Sequence, residues 1–118
     1  MRIPHQGDEP LECEYLIHPH TTKCGGVSES WRIAWMAYDH NILFVPHGWN
    51  TAIGLAADLA LVASIPVARY VEYLTPSPYI EEIITEPFKV DVDGYLPIPN
   101  KPGLGIELNR EALKKYGI

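Results

Sequence analysis

Two short apolar runs separated by an alanine-rich stretch constrain this chain most. Ile42-Leu43-Phe44-Val45 does not alternate with polar residues, the pattern of a strand covered on both faces. Thr51 to Ser64 follows, its apolar positions (Ile53, Leu55, Ala56, Leu59, Ala60, Val62 and Ala63 among them) interrupted only by Asp58. A helix of that composition is covered on most sides. Pro66 ends it, and Val67 to Leu74 is a further β-prone run. Upstream, Tyr15-Leu16-Ile17 is a short strand candidate closed by Pro19. From Glu29 to His40, Trp31, Ala34, Trp35 and Tyr38 share one helical face, with Ser28 as candidate cap and Asn41 suited to the end. Thr51 or Asn50 is the candidate cap of the second helix. Strand, helix, strand, helix, strand implies an α/β fold with parallel pairing and right-handed crossovers.

The chemistry-bearing residues sit at the ends of these runs. His47, in Pro46-His47-Gly48-Trp49, follows the first run directly, and Glu72 lies in the second. The carboxyl ends of parallel strands are where α/β folds place their active residues. Cys13, His18, His20 and Cys24 form a second grouping, four soft or borderline ligands spaced Cys-x4-His-x-His-x3-Cys. The residue types suit zinc, but the spacing is not a specific metal pattern. Gly25-Gly26 is a turn before a helix and lacks the fuller pattern of a phosphate cradle.

At 118 residues the chain is one domain at most. Its net charge of −6 argues against non-specific nucleic-acid binding and against an anionic membrane surface. No apolar stretch reaches membrane-spanning length, and the polar N-terminal segment reads as no signal peptide. Two cysteines suggest reduced thiols and a cytoplasmic protein rather than a disulfide framework. Residues 1–14 are expected to be poorly ordered, 15–75 to form the α/β unit, and 76–118 to form a tail that packs onto another surface rather than building its own core. Within the tail, Phe88 to Val92 and Tyr95 to Ile98 flank Asp93-Gly94 as a hairpin, confined to an edge by Pro97 and Pro99. Glu107 to Tyr116 reads as a terminal helix capped by Asn109.

Taken in order, Pro19-His20-Thr21-Thr22-Lys23-Cys24-Gly25-Gly26, Trp31-Arg32-Ile33-Ala34, Val45-Pro46-His47-Gly48-Trp49, Thr51-Ala52-Ile53-Gly54-Leu55-Ala56-Ala57, Glu72, Glu86-Pro87, Asp93-Gly94, Pro97-Ile98-Pro99 and Pro102-Gly103-Leu104-Gly105-Ile106 resemble the last third of a mandelate racemase/muconate lactonizing enzyme family protein, of the enolase superfamily. The resemblance implies a partial TIM (β/α) barrel. Strands six to eight and two helices would lie in residues 15–75, with the tail returning to a capping domain. A complete barrel takes about 250 residues.

Family members abstract a proton next to a carboxylate and stabilise the product on Mg2+. The resemblance therefore implies a magnesium-dependent acid-sugar dehydratase or racemase, and places the metal ligands on strands absent from this chain. His47 matches the family's base, a role suited to an imidazole. Glu72 matches the acidic residue on the last strand, which hydrogen-bonds a substrate carboxylate as charge develops. His20 is a departure, standing where the family has an aspartate paired with the histidine. A carboxylate there would orient the imidazole, whereas a second imidazole cannot supply negative charge. Trp49 and Lys23 are candidate substrate contacts, against plainer readings as a packing aromatic and an exposed loop lysine. The expected ligand is a small carboxylate.

Three strands cut from a barrel leave open edges and an uncovered inner face, so the chain is expected to associate with copies of itself. The competing functional reading is a non-catalytic protein that folds by such association.

Overall fold

A computed structural model describes residues 15–117. The described elements run β1 (Leu16–Ile17), α1 (Val27–Asp39), β2 (Leu43–Phe44), α2 (Ala52–Ala63), α3 (Pro78–Glu81) and α4 (Arg110–Tyr116). β1 and β2 pair in parallel, Leu16 opposite Leu43 and Ile17 opposite Phe44, with α1 as the crossover. The ladder runs past the strand ends: Val45 N–H donates to Ile17 C=O (3.1 Å) and His47 N–H to Pro19 C=O (2.9 Å). Among the described residues, no helix is long and apolar enough to cross a membrane.

α2 lies at the centre. Leu61 on one side joins Ala34, Ala37, Phe44, Ile65 and Ala68 in a cluster shared with α1 and β2. Ala52, Leu55, Ala56 and Leu59 on the other join Ile80, Ile83, Ile84 and Phe88. The helix is thus covered on two sides, as its unbroken apolar composition requires. The surface on which the tail packs is therefore α2 of this same chain, and one cluster crosses the expected division at residue 75.

Several local expectations are corrected. α1 starts at Val27 with Gly26 as its N-cap, because Gly25 (φ 112°) and Gly26 (φ 87°) turn the chain into the helix before Ser28. Its buried positions are the small Ser30, Ala34 and Ala37, which let it approach its neighbours closely. The aromatic residues flank that stripe instead: Trp31 and Tyr38 are exposed, and both rings meet Trp35 edge to face. Thr51 occupies the N-cap of α2 without a side-chain cap bond, and the Asn50 amide is used elsewhere.

The third strand expected over Val67 to Leu74 reduces to one bridge between Phe44 and Ala68. Among the described residues no other strand pairs with this segment. The expected hairpin is a turn only. Asp91 N–H donates to Tyr95 C=O, and the Asp91 carboxylate accepts from the Asp93 and Tyr95 amides. Pro97 and Pro99 remove the donors a ladder would need. The short helix α3, opened by Pro78, went unread in the sequence. Asn109 caps α4 as expected, its side chain accepting from the Glu111 and Ala112 amides. Lys115 and the Tyr116 hydroxyl then tie α4 to Glu82, with Lys115 drawn upward and Glu82 downward in pKa by these bonds.

Leu55 is fully buried where α2 meets the tail. Leu55→Ala is expected to lower the unfolding free energy by about 3 kcal/mol, seen as a lower urea midpoint at unchanged slope.

Candidate functional site

The register of β1 and β2, extended along both chains, sets His20 opposite His47. Their rings stack with centroids 5.1 Å apart and planes 25° from parallel. His18, on the same segment as His20, places its ring 5.0 Å from that of His47 at a tilt of 55°. Three imidazoles therefore share the carboxyl end of the two-stranded ladder. The segment after Ala68 brings Glu72 to the same end. One Glu72 oxygen accepts from the Gly48 amide (2.7 Å) and the other lies 3.2 Å from His18 Nε2, an ion pair when that imidazole is protonated.

Gly48 makes this closeness possible. A Cβ at residue 48 would lie 2.4 Å from Glu72 Cβ and 2.5 Å from its carbonyl oxygen, so no side chain fits. An open cavity of about 340 Å³ results, lined by His47, Gly48, Trp49, Glu72, Tyr73 and Leu74. Trp49 stands at its edge, largely exposed, and its carbonyl meets His20 Nε2 at 2.9 Å. The other His20 nitrogen meets the Thr22 hydroxyl at 2.9 Å. The Trp49 amide donates to His47 Nδ1 (3.3 Å), leaving that nitrogen unprotonated in the neutral ring. A second hollow of about 320 Å³ lies in the tail between residues 85 and 107, far from the histidines in sequence and lined by none of them.

The fold brings the candidate residues His47, His20, Glu72 and Trp49 to one end of the ladder. Lys23 is exposed on the turn and is not among the cavity-lining residues. Of the zinc grouping, Cys13 lies outside the described residues. His18 faces Glu72, His20 faces Trp49, and Cys24 Sγ meets Ser30 Oγ at 3.1 Å. Among the described residues no three His, Cys, Asp or Glu are grouped to hold a metal ion. The side chains at this site therefore do not fit the magnesium that the resemblance implies: Glu72 is engaged with Gly48 and His18, and the other nearby carboxylate is buried.

That carboxylate is Asp58, which sequence reasoning passed over as a break in an apolar helix. It is fully buried on α2. One of its oxygens accepts from Asn50 Nδ2 at 2.8 Å. Its other oxygen, Asn50 Oδ1 and Thr21 Oγ1 are all buried without a hydrogen-bond partner. Burial pushes the Asp58 carboxyl above its ordinary pKa. The Thr21 hydroxyl (near, but short of hydrogen-bond geometry), the Asn50 amide and the positive charge of His20 and His47 oppose that rise. A charged group in an otherwise apolar helical run, next to a turn bearing a histidine, was the available signal.

An enolase-like α/β unit is what this arrangement defines, with a histidine just past β2 and a carboxylate on the segment after Ala68 facing one cavity. Residues 12–112 match the enolase C-terminal domain-like family, and the chain belongs to that family as the C-terminal part of a mandelate racemase/muconate lactonizing enzyme protein. D-galactarolactone cycloisomerase from Agrobacterium fabrum is 36% identical over 110 residues, which cover 86% of this chain and 29% of that protein. Muconate cycloisomerase 1 from Rhodococcus opacus is 34% identical, with 86% of this chain and 27% of the relative covered. A mandelate racemase/muconate lactonizing enzyme-like protein from Rubrobacter xylanophilus superposes with a TM-score of 0.74 at 28% identity, over 85% of this chain and 26% of that one. The chain spans under a third of the length of the curated relatives it matches.

Two outcomes are expected. Gly48→Ala should cost about 2 kcal/mol through the clash with Glu72 and speed hydrogen exchange at the residue 48 amide. Asp58 also imposes a pH dependence. Its folded pKa lies above the ordinary value of 3.8, so between the two the folded chain holds more protons than the unfolded one. Stability should therefore fall as pH rises through that window and level off above it. Asp58→Asn should remove this component from a series of urea titrations.

Proposed function

We propose that the chain supplies the ends of strands six to eight of a (β/α)-barrel acid-sugar dehydratase or cycloisomerase, with His47 as the group that removes a proton next to a substrate carboxylate. The observation that carries this reading is His47 lining the cavity with Glu72 while stacked on His20. The C–H bond α to the carboxylate breaks, its proton passes to His47 Nδ1, which gives up the Trp49 amide bond, and the electron pair delocalises into the carboxylate as an enediolate. Glu72 faces the substrate carboxylate across the cavity, where it hydrogen-bonds a carboxylate oxygen as charge develops. His20 holds the His47 ring from the far face, and Trp49 lies along the substrate. Lys23 attracts the anionic substrate from the turn, at longer range.

The acid-sugar reading follows the relatives, which include D-galactarolactone cycloisomerase and a D-xylonate dehydratase from Haloferax volcanii. Magnesium, as in the family, would be held by carboxylates other than those described, and turnover by the isolated chain is not expected. The test is a chimera in which residues 15–117 replace the matching segment of D-galactarolactone cycloisomerase. It should exchange the substrate α-hydrogen with solvent deuterium, and His47→Asn should slow that exchange at least about 100-fold. Exchange that survives His47→Asn unchanged would remove His47 from the mechanism.

A second reading, self-association without catalysis, rests on a separate observation. β1 pairs on one edge only among the described residues, and Leu16 and Ile17 on it are exposed, as are Trp31 and Tyr38 on α1. Pairing of that edge with a second copy would cover it. Light scattering should then give a mass above one chain at micromolar concentration, and Leu16→Lys should return the mass to a single chain.

A further inference from the structure

Glu72 sits on a segment that the ladder barely holds. Residues 67–74 meet β2 at one bridge, between Phe44 and Ala68, upstream of the glutamate. Something else must keep Glu72 within reach of the Gly48 amide. Burial along the segment alternates: Val71 and Tyr73 are half-buried, while Glu72 and Leu74 are exposed. That is the pattern of an extended chain with one side covered. The cover is the cluster that α2 shares with the tail, against which Val71 and Tyr73 both pack. Tyr73 adds a polar bond. Its hydroxyl donates to the carbonyl of Phe88 at 3.1 Å, and Phe88 belongs to the same cluster. Burial, and then the negative charge of Glu81, raise the pKa of this hydroxyl, so it keeps its proton and remains a donor.

We propose that Tyr73 is a positioning residue for Glu72: its bond to the Phe88 carbonyl anchors the segment where a ladder is missing, and so makes the tail part of the candidate site. A neighbouring strand would fix the backbone group by group. Here one side-chain bond, next in sequence to Glu72, fixes it at the point the site depends on. A tyrosine suits the task because its ring is rigid and turns about two torsions only, so holding the hydroxyl holds the backbone that carries it. Glu72 then meets the Gly48 amide without first having to order a free segment. The proposal rests on the Glu72 reading for its catalytic meaning. Its physical content is a coupling between two hydrogen bonds, Tyr73 to Phe88 and Gly48 to Glu72.

That coupling is measurable on the full chain without turnover. Tyr73→Phe keeps the ring and removes the hydroxyl. The probe is hydrogen exchange at the Gly48 amide, the donor to Glu72, followed by NMR. Tyr116→Phe is the control, because it removes a different tail hydroxyl bond, to Glu82 at 2.6 Å. The His47 amide, bonded to the Pro19 carbonyl, is the internal reference for the ladder. Tyr73→Phe should speed exchange at Gly48 about fivefold, the worth of one ordinary hydrogen bond. The His47 amide should keep its rate, and Tyr116→Phe should leave both amides unchanged. A hydroxyl that only stabilised the tail would act alike in the two variants. A Gly48 rate unmoved by Tyr73→Phe would overturn the proposal, as would an equal change in Tyr116→Phe or at the His47 amide. Circular dichroism on each variant identifies any loss of fold. Where Tyr73→Phe unfolds, Phe88→Leu, which loosens the anchor from the tail side, takes its place with the same expectation. A chimera indifferent to His47→Asn would end the base reading and leave this coupling standing. An unmoved Gly48 amide would end the coupling and leave the base reading intact.

Discussion

Everything in this molecule depends on α2 being buried on two sides at once. Its alanine and leucine surface has no polar stripe, so water cannot cover it, and each flank must find an apolar partner. One partner is the β1–α1–β2 unit, through Phe44, Ala34 and Ala37. The other is the segment after Pro76, through Ile80, Ile83, Ile84 and Phe88. The same burial holds Asn50 and Asp58 in place and so sets the geometry of the turn that follows β2.

The site is then a consequence of parallel register. A ladder in which Leu16 faces Leu43 also faces His20 to His47, and the His47 amide confirms the alignment by bonding to Pro19. Close approach of the third segment needs a residue without a side chain at 48. That is why a glycine and a glutamate distant in sequence meet through a single amide bond. The cavity in front of them is open and small, consistent in shape with one wall of a larger barrel-end site. The chain matches only 24–29% of the length of the curated relatives.

Much of the arrangement was legible beforehand. The non-alternating run before His47, the covered composition of α2 and the Asn109 cap each have local causes, and local causes are readable from neighbouring residues. The family was legible because its motifs occur in order over most of the chain. The third strand and the buried face of α1 failed for non-local reasons. Val67 to Leu74 has strand-like composition, but a strand requires a partner along its length and this one meets β2 at a single point. The aromatic stripe of α1 reads as a buried face by periodicity, whereas the neighbouring elements accept only the small-residue stripe beside it. The hairpin residues are β-prone, but the prolines that follow remove the hydrogen bonds that would pair them.

The sequence alone determined β1, β2, the helices α1, α2 and α4, where α2 must be covered, and the family. Those follow from side-chain periodicity and backbone chemistry within a few residues. Only the tertiary structure decided that three imidazoles converge, that Glu72 reaches across to Gly48, and that Asp58 is buried against Asn50 on the turn after His47. Such meetings are fixed by strand register and by which faces of α2 are occupied. Register and packing link residues far apart along the chain, and no local pattern encodes that distance.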